Sequence, residues 1–134
     1  MATFITKTTR KYKDLDLNFT KHPVTKDVSK HIDHLAVINA VKNLLFLNHY
    51  EKPFHPEIGS NLKALLFENL DNITAISLER EIRETIVNFE PRVEIKEITV
   101  SPVFNENGFN VSITFYIVNK TEPITINFFL ERVR

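Results

Sequence analysis

The run Thr74 to Val93, TAISLEREIRETIVNFEPRV, limits the fold more than any other stretch, because it drives an amphipathic helix into a proline. Leu78, Ile82, Ile86 and Phe89 recur at spacings of four, four and three, the period of one helical face. Glu79 with Arg83, and Arg80 with Glu84, stand four apart and can pair on the exposed side. Thr74 or Asn72 is the expected cap at the start. Pro91 disfavours helical geometry at Glu90 and has no amide hydrogen to continue the ladder, so the helix stops there. Glu90-Pro91-Arg92 then sets a carboxylate and a guanidinium on either side of a fixed φ, just before a strand. A polar helix-to-strand turn accounts for these residues taken alone. A directed charged pair, exposed and offered to a partner, is the functional reading.

Beyond Arg92 the period falls to two. Val93 and Ile95, then Ile98 and Val100, then Val103 alternate with polar residues, and the phase slips at Lys96-Glu97, which predicts a bulge. Pro102 lacks a ladder donor and predicts an edge or an irregularity. Asn105-Glu106-Asn107-Gly108 reads as a hairpin turn with Gly108 in the awkward conformation. Phe109, Val111, Ile113, Phe115 and Ile117 give the cleanest alternation of the chain, and Ile124, Ile126, Phe128 and Leu130 a third strand after the turn at 119–123. The expectation is an antiparallel three-stranded meander with one apolar face for helices to cover, an α+β fold.

Upstream, Val37, Val41, Leu44 and Leu45, widened by Ile38, predict a helix from about Asp33, its cap, to about Asn48. His31 and His34 lie three apart, without a third ligand at fixed spacing, and read as surface or cap residues, not as a metal pair. Pro53, Pro56 and Gly59 stiffen the loop from Tyr50 to Ser60 into a packing corner. Ser60 is the expected cap of a short helix whose apolar face is Leu62, Leu65, Leu66 and Phe67. The fold expected is thus two main helices and a short one on the meander. Residues 1–25 show no sustained period and read as an extended basic arm; residues 26–134 read as one domain.

The chain has 134 residues, 43% of them hydrophobic and 25% charged, enough for one buried core. Eleven Phe with no Trp and no Cys point to a Phe, Ile, Leu and Val core with no disulfide frame, consistent with a reducing compartment. No apolar run is long enough for a membrane span, and the first residues lack a signal-peptide core. Basic and acidic residues cancel at 17 each, so bulk charge does not point to nucleic acid. Residues 1–32 carry a net +4 and the remainder −4, which leaves a basic arm on a weakly acidic body.

Taken together, Lys52-Pro53-Phe54-His55-Pro56-Glu57-Ile58-Gly59, the segment Leu62 to Asn69, the long helix and Glu90-Pro91-Arg92, followed by a strand meander, resemble the small baseplate wedge subunit of contractile-tailed bacteriophages. That family has a counterpart in the type VI secretion baseplate, and the likeness covers about residues 26–134. It implies a structural subunit of a virion tail baseplate, assembled in the host cytoplasm, without cofactor or metal. It implies docking on the helical core bundle of the wedge through Glu90, Pro91 and Arg92. It also implies a strand meander that serves as the template for the first sheath ring, with Phe129 on the outward face. The expected partners are other baseplate wedge proteins and tail sheath subunits, then tail tube or hub proteins, with no nucleic acid and no membrane.

Some relatives carry a lysozyme label, so a peptidoglycan-degrading hydrolase is the alternative. A glycosidase needs two carboxylates across a cleft, roughly 5 Å apart if retaining and up to about 9.5 Å if inverting. Glu51, Glu57, Glu68 and Asp71 are the candidates, with no Trp to stack on a sugar. Nucleophilic catalysis has less support: there is no Cys, no G-x-S-x-G, and no phosphate-binding glycine pattern.

Overall fold

The computed structural model of the chain describes residues 11–133, so the first ten residues of the expected basic arm lie outside the described residues. The described residues up to Val37 form one compact unit and those from Ile38 onward form another.

In the first unit, strand β1 (Lys13–Leu15) pairs antiparallel with β2 (Lys30–Ile32). Almost no apolar side chain is buried here; the organising residue is Asp16. Its amide donates to the Ser29 carbonyl at 3.0 Å, its carbonyl accepts from Phe19 at 3.0 Å, and its carboxylate accepts from the Asn18 amide at 2.9 Å. His31 Nε2 lies 3.3 Å from the same carboxylate, so His31 is a partner of Asp16. Hydrogen bonds from the Thr20 side chain and the Asn18 amide, with His31 beside them, hold the Asp16 carboxyl down at about 2.

Helix α1 (His34–Phe46) buries Val37, Val41, Leu44 and Leu45, the face that the spacing predicts. Asp33 stands before it with a left-handed φ of 53°, not the extended geometry of a cap, and its carboxylate accepts from the Tyr12 amide at 3.3 Å. Helix α2 (Leu62–Leu65) starts after Asn61. Ser60, the expected cap of α2, instead closes the end of α1. Its buried hydroxyl donates to the Leu45 carbonyl at 2.6 Å and its amide to the Leu47 carbonyl at 2.8 Å, groups that a helix end leaves open. Gly59 has a φ of 144°, and a Cβ there would stand 2.7 Å from the Asn48 carbonyl carbon, so only glycine lets the loop approach so near.

Helix α3 (Asn72–Phe89) is capped by neither Thr74 nor Asn72 but by Asp71, whose carboxylate accepts from the Thr74 amide at 2.7 Å. Leu78, Ile82 and Ile86 are completely buried, and Phe89 is half-buried. Arg80 meets Glu84 at 2.8 Å and Arg83 meets Glu79 at 3.4 Å across the exposed side, as their spacing predicts.

Strands β3 (Val93–Val103), β4 (Gly108–Ile117) and β5 (Pro123–Glu131) form the antiparallel meander in the order β3-β4-β5. The fold is α+β, with α3 lying along β3. β4 is central, and Phe109, Val111, Ile113, Phe115 and Ile117 are all buried. The register slips between Ile95 and Glu97, leaving Lys96 as the bulge, and Pro102 sits on the edge strand opposite Phe109. Ile126 and Leu130 point into the core; Phe128 meets Phe46 of α1 edge to face at 5.7 Å. The left-handed residue of the 105–108 turn is Asn107, with a φ of 51°, and not Gly108. Gly108 is glycine for a different reason: the Phe129 ring lies against it, and a Cβ would collide with that ring and with the Leu130 carbonyl.

Gly108→Ala is expected to cost about 2 kcal/mol through this overpacking, read as a lower urea midpoint. Phe129→Ala should relieve the ring's share of that cost in the double variant and leave the share due to the Leu130 carbonyl; strictly additive losses would show that the ring and the glycine do not interact. In the first unit, a depressed Asp16 pKa stabilises above the ordinary carboxyl range and is lost as pH falls through the folded value. Amide protection around Asp16 and Ser29 should therefore decline between about pH 4 and pH 2, and Asp16→Asn should abolish that dependence.

Candidate docking site at the helix-to-strand junction

The backbone at the end of α3 is a tight relay. The Glu90 amide closes the last helical turn on the Ile86 carbonyl at 2.9 Å, and the Glu90 carbonyl accepts from the Val93 amide at 3.2 Å. Pro91, exposed, fixes the bend between them. The Arg92 carbonyl accepts from the Val118 amide at 2.9 Å, so the β3–β4 ladder begins at this residue.

The side chains are joined as firmly. Arg92 Nε donates to Glu90 Oε1 at 2.6 Å and Nη2 to Oε2 at 2.8 Å, a two-pronged fork. The expectation of an exposed charged pair is half corrected. The Glu90 side chain is only 7% exposed, while that of Arg92 is 30% exposed. A carboxylate taken out of water must be met by a cation with good geometry, and Arg92 supplies both prongs. The junction therefore shows its surroundings a proline ring and part of a guanidinium, with the carboxylate behind them.

The fourth expected partner-binding residue, Phe129, is elsewhere. It lies on the outward face of β5, across from Asn110, in an open groove of about 470 Å³ lined also by Thr99, Ser101 and Ser112. At 38% exposure it is half covered by its own chain, since its ring rests on Gly108. The junction leads into β3 and Phe129 belongs to β5, so the two sites sit on different edges of the sheet, with β4 between them.

The four carboxylates weighed for sugar hydrolysis are placed differently. Glu51 accepts from the Asn48 amide at 2.9 Å and its side-chain amide at 2.6 Å, and these bonds, with Lys63 beyond, hold its pKa low. The Glu57 carboxyl is lowered by its own backbone amide and by His55, 3.2 Å away. The Asp71 carboxyl is lowered by the Thr74 amide that it caps. Glu68 contributes its carbonyl, which accepts from Arg132 Nε at 2.8 Å. A glycosidase acid must hold its proton near neutral pH, which calls for a raised pKa, and three of these four are shifted the other way.

The fold and its junction define an α+β module in which a charged fork joins a long helix to an antiparallel meander. Residues 33–121 match the family described as baseplate wedge protein gp25. Over 113 residues the chain is 31% identical to baseplate wedge protein gp25 of Enterobacteria phage T4, covering 84% of this chain and 85% of that one. A chain in the cryo-EM structure of the anti-feeding prophage baseplate shares the fold with a TM-score of 0.73 at 22% identity, over 82% of this chain and 88% of that chain. A candidate tail lysozyme from Geobacter sulfurreducens shares it with a TM-score of 0.67 at 18% identity, over 73% and 89%. The chain belongs to the gp25 family of baseplate wedge proteins, and its role is that of a structural part of a phage tail baseplate.

Arg92→Ala strands a buried carboxylate and is expected to cost about 2 kcal/mol, less than a fully enclosed pair because Arg92 is partly open to water. Glu90→Gln in the same chain should return a good part of it. Additive losses in the double-mutant cycle, read by chemical denaturation, would mean that the two side chains are not coupled.

Proposed function

We propose that this subunit docks on the helical core bundle of the wedge through Glu90, Pro91 and Arg92, and offers β5 with Phe129 as the template for the first ring of tail sheath. The observation that carries the docking reading is the fork itself, rigid before any partner arrives and still presenting part of a guanidinium and an exposed proline. The template reading is supported by β5, an edge strand of nine residues whose outward row holds an aromatic ring. Its far end is tied down, since the Arg132 amide donates to the Asn107 carbonyl at 2.9 Å and the Val133 amide to the Leu66 carbonyl at 3.1 Å. A strand paired along one side and tied at its far end can receive another strand on its open side by main-chain pairing, with alternating side chains setting register.

On this reading the partners are other wedge proteins and sheath subunits, with tail tube or hub proteins next to them. Neither nucleic acid nor a membrane takes part, in keeping with the zero net charge. No helix among the described residues is long and apolar enough to cross a membrane. Assembly takes place in the host cytoplasm before the tail is complete. The subunit does not cut peptidoglycan, a reading supported by three of its four candidate carboxylates being engaged as loop ties and a helix cap.

Arg92→Lys keeps the charge beside Glu90 but loses the fork. It should weaken binding to a reconstituted wedge by at least ~2 kcal/mol, a hot-spot value, while the chain stays folded. Wild-type affinity in that variant would refute docking through Arg92. Phe129→Glu should join the wedge and fail to nucleate sheath, and sheath growth at the normal rate on such baseplates would remove β5 from the template role. Purified protein should leave a peptidoglycan suspension turbid. Clearing that disappears in Glu57→Gln or Glu68→Gln would restore the hydrolase alternative.

A further inference from the structure

The loop between α1 and α2 holds two aromatic side chains that the fold does not use. Tyr50 is 86% exposed and Phe54 is 97% exposed, and both occupy left-handed backbone, with φ of 70° and 68°. Bulky residues resist that conformation, so each is held there by its surroundings. The surroundings do hold them. The Tyr50 amide donates to the Pro56 carbonyl at 2.9 Å, closing the loop, and the Ile58 amide donates to the His55 carbonyl at 3.2 Å. Glu51 ties the near side to Asn48 and, at 3.7 Å, to Lys63; Gly59 and Ser60 anchor the far side to the end of α1. Pro53 and Pro56 flank Phe54 along the chain and limit the backbone further.

A fully exposed phenylalanine at a strained position gains nothing for the isolated chain. The same arrangement suits an anchor, because a backbone fixed in place loses little freedom when a pocket takes in the ring it carries. We propose that Phe54, flanked by Tyr50, is a preformed hook that enters an apolar pocket of a neighbouring wedge protein. The occupant is a protein pocket and not lipid, for a reason of charge. Glu51 and Glu57 stand beside the hook together with Lys52 and Lys63, so the loop has no net positive charge to draw it to an anionic lipid surface and suits a protein pocket with a rim of mixed charge. This contact rests on the chain acting in the wedge; Tyr50 shares a groove with Asn88 and Phe89 at the end of α3, so the hook stands near the Arg92 junction, and the two are separated by variants of each.

Phe54→Asn tests the hook, since asparagine tolerates a left-handed backbone and removes the ring. The variant should stay folded, with a thermal midpoint equal to or above that of the wild type. Its affinity for a wedge reconstituted from purified subunits should fall at least tenfold, while Phe54→Leu should lose less. Affinity within twofold of the wild type overturns the proposal. So does an unfolded Phe54→Asn chain, because the ring would then serve the fold itself. Sedimentation with phosphatidylglycerol vesicles that Phe54→Asn abolishes would reassign the ring to a membrane and overturn it as well. If Arg92→Lys weakens docking and Phe54→Asn does not, the hook fails and junction docking stands. If only Phe54→Asn weakens docking, the hook stands without the junction.

Discussion

The fork between Glu90 and Arg92 joins the long helix to the sheet, and the second compact unit takes its geometry from that join. A helix that ends on a proline would ordinarily lead into a free turn. Here the residue before the proline buries its carboxylate, and the residue after it returns a guanidinium with both prongs in place. The Arg92 carbonyl also takes the Val118 amide, so one residue ends the turn and opens the β3–β4 ladder. The direction of β3 relative to α3 is set within three residues, and α3 can lie along β3 as a consequence. A buried ion pair contributes little net stability compared with well-packed apolar side chains. What it supplies is a specific angle, and a charged group left partly open at the place where that angle is made.

The end of α1 is handled by the same kind of economy with different chemistry. Its carbonyls at Leu45 and Leu47 are met by the hydroxyl and amide of one serine, brought there by a glycine that alone tolerates the approach. With those groups satisfied, the loop that follows has no buried polar debt, and its strained residues can point outward. Rigidity at Ser60 is therefore the condition for exposure at Phe54. A loop tied less closely would relax Tyr50 and Phe54 into ordinary backbone and fold their rings against the nearest apolar surface.

Periodicity carried the sequence reading wherever one face of an element is buried. Leu78, Ile82 and Ile86 mark α3, the five alternating residues from Phe109 to Ile117 mark the central strand, and the slip at Lys96 shows as a broken phase. The reading fails where structure depends on which polar group meets which backbone atom. Thr74 and Asn72 are the caps the sequence suggests, but Asp71, just before them, has the extended backbone and accepts the Thr74 amide. Ser60 before a short helix looks like a cap, yet it serves the helix before it. Asn107 and Gly108 share a turn, and composition cannot say which one takes the positive φ and which one makes room for a ring. The charged tripeptide of the site was legible, but the burial of Glu90 was not, since glutamate belongs by default on the surface. The pair β1–β2 left no periodic trace because it is organised by a carboxylate rather than an apolar face.

The order β3-β4-β5 gives these contacts a mechanical relation. The junction opens one edge strand, and the proposed template is the other edge strand. Between them runs β4, paired along its length to both and buried at every second residue. A tilt of β3 imposed at Arg92 reaches β5 through two ladders, the first broken at the Lys96 bulge, because a close-packed strand cannot slide by one residue without turning its whole apolar row outward. On the proposed reading, docking at the junction orients the edge that carries Phe129. On that same proposal, a growing polymer receives a strand whose position is set by the baseplate, so that correct seating on the wedge and a usable template become one condition.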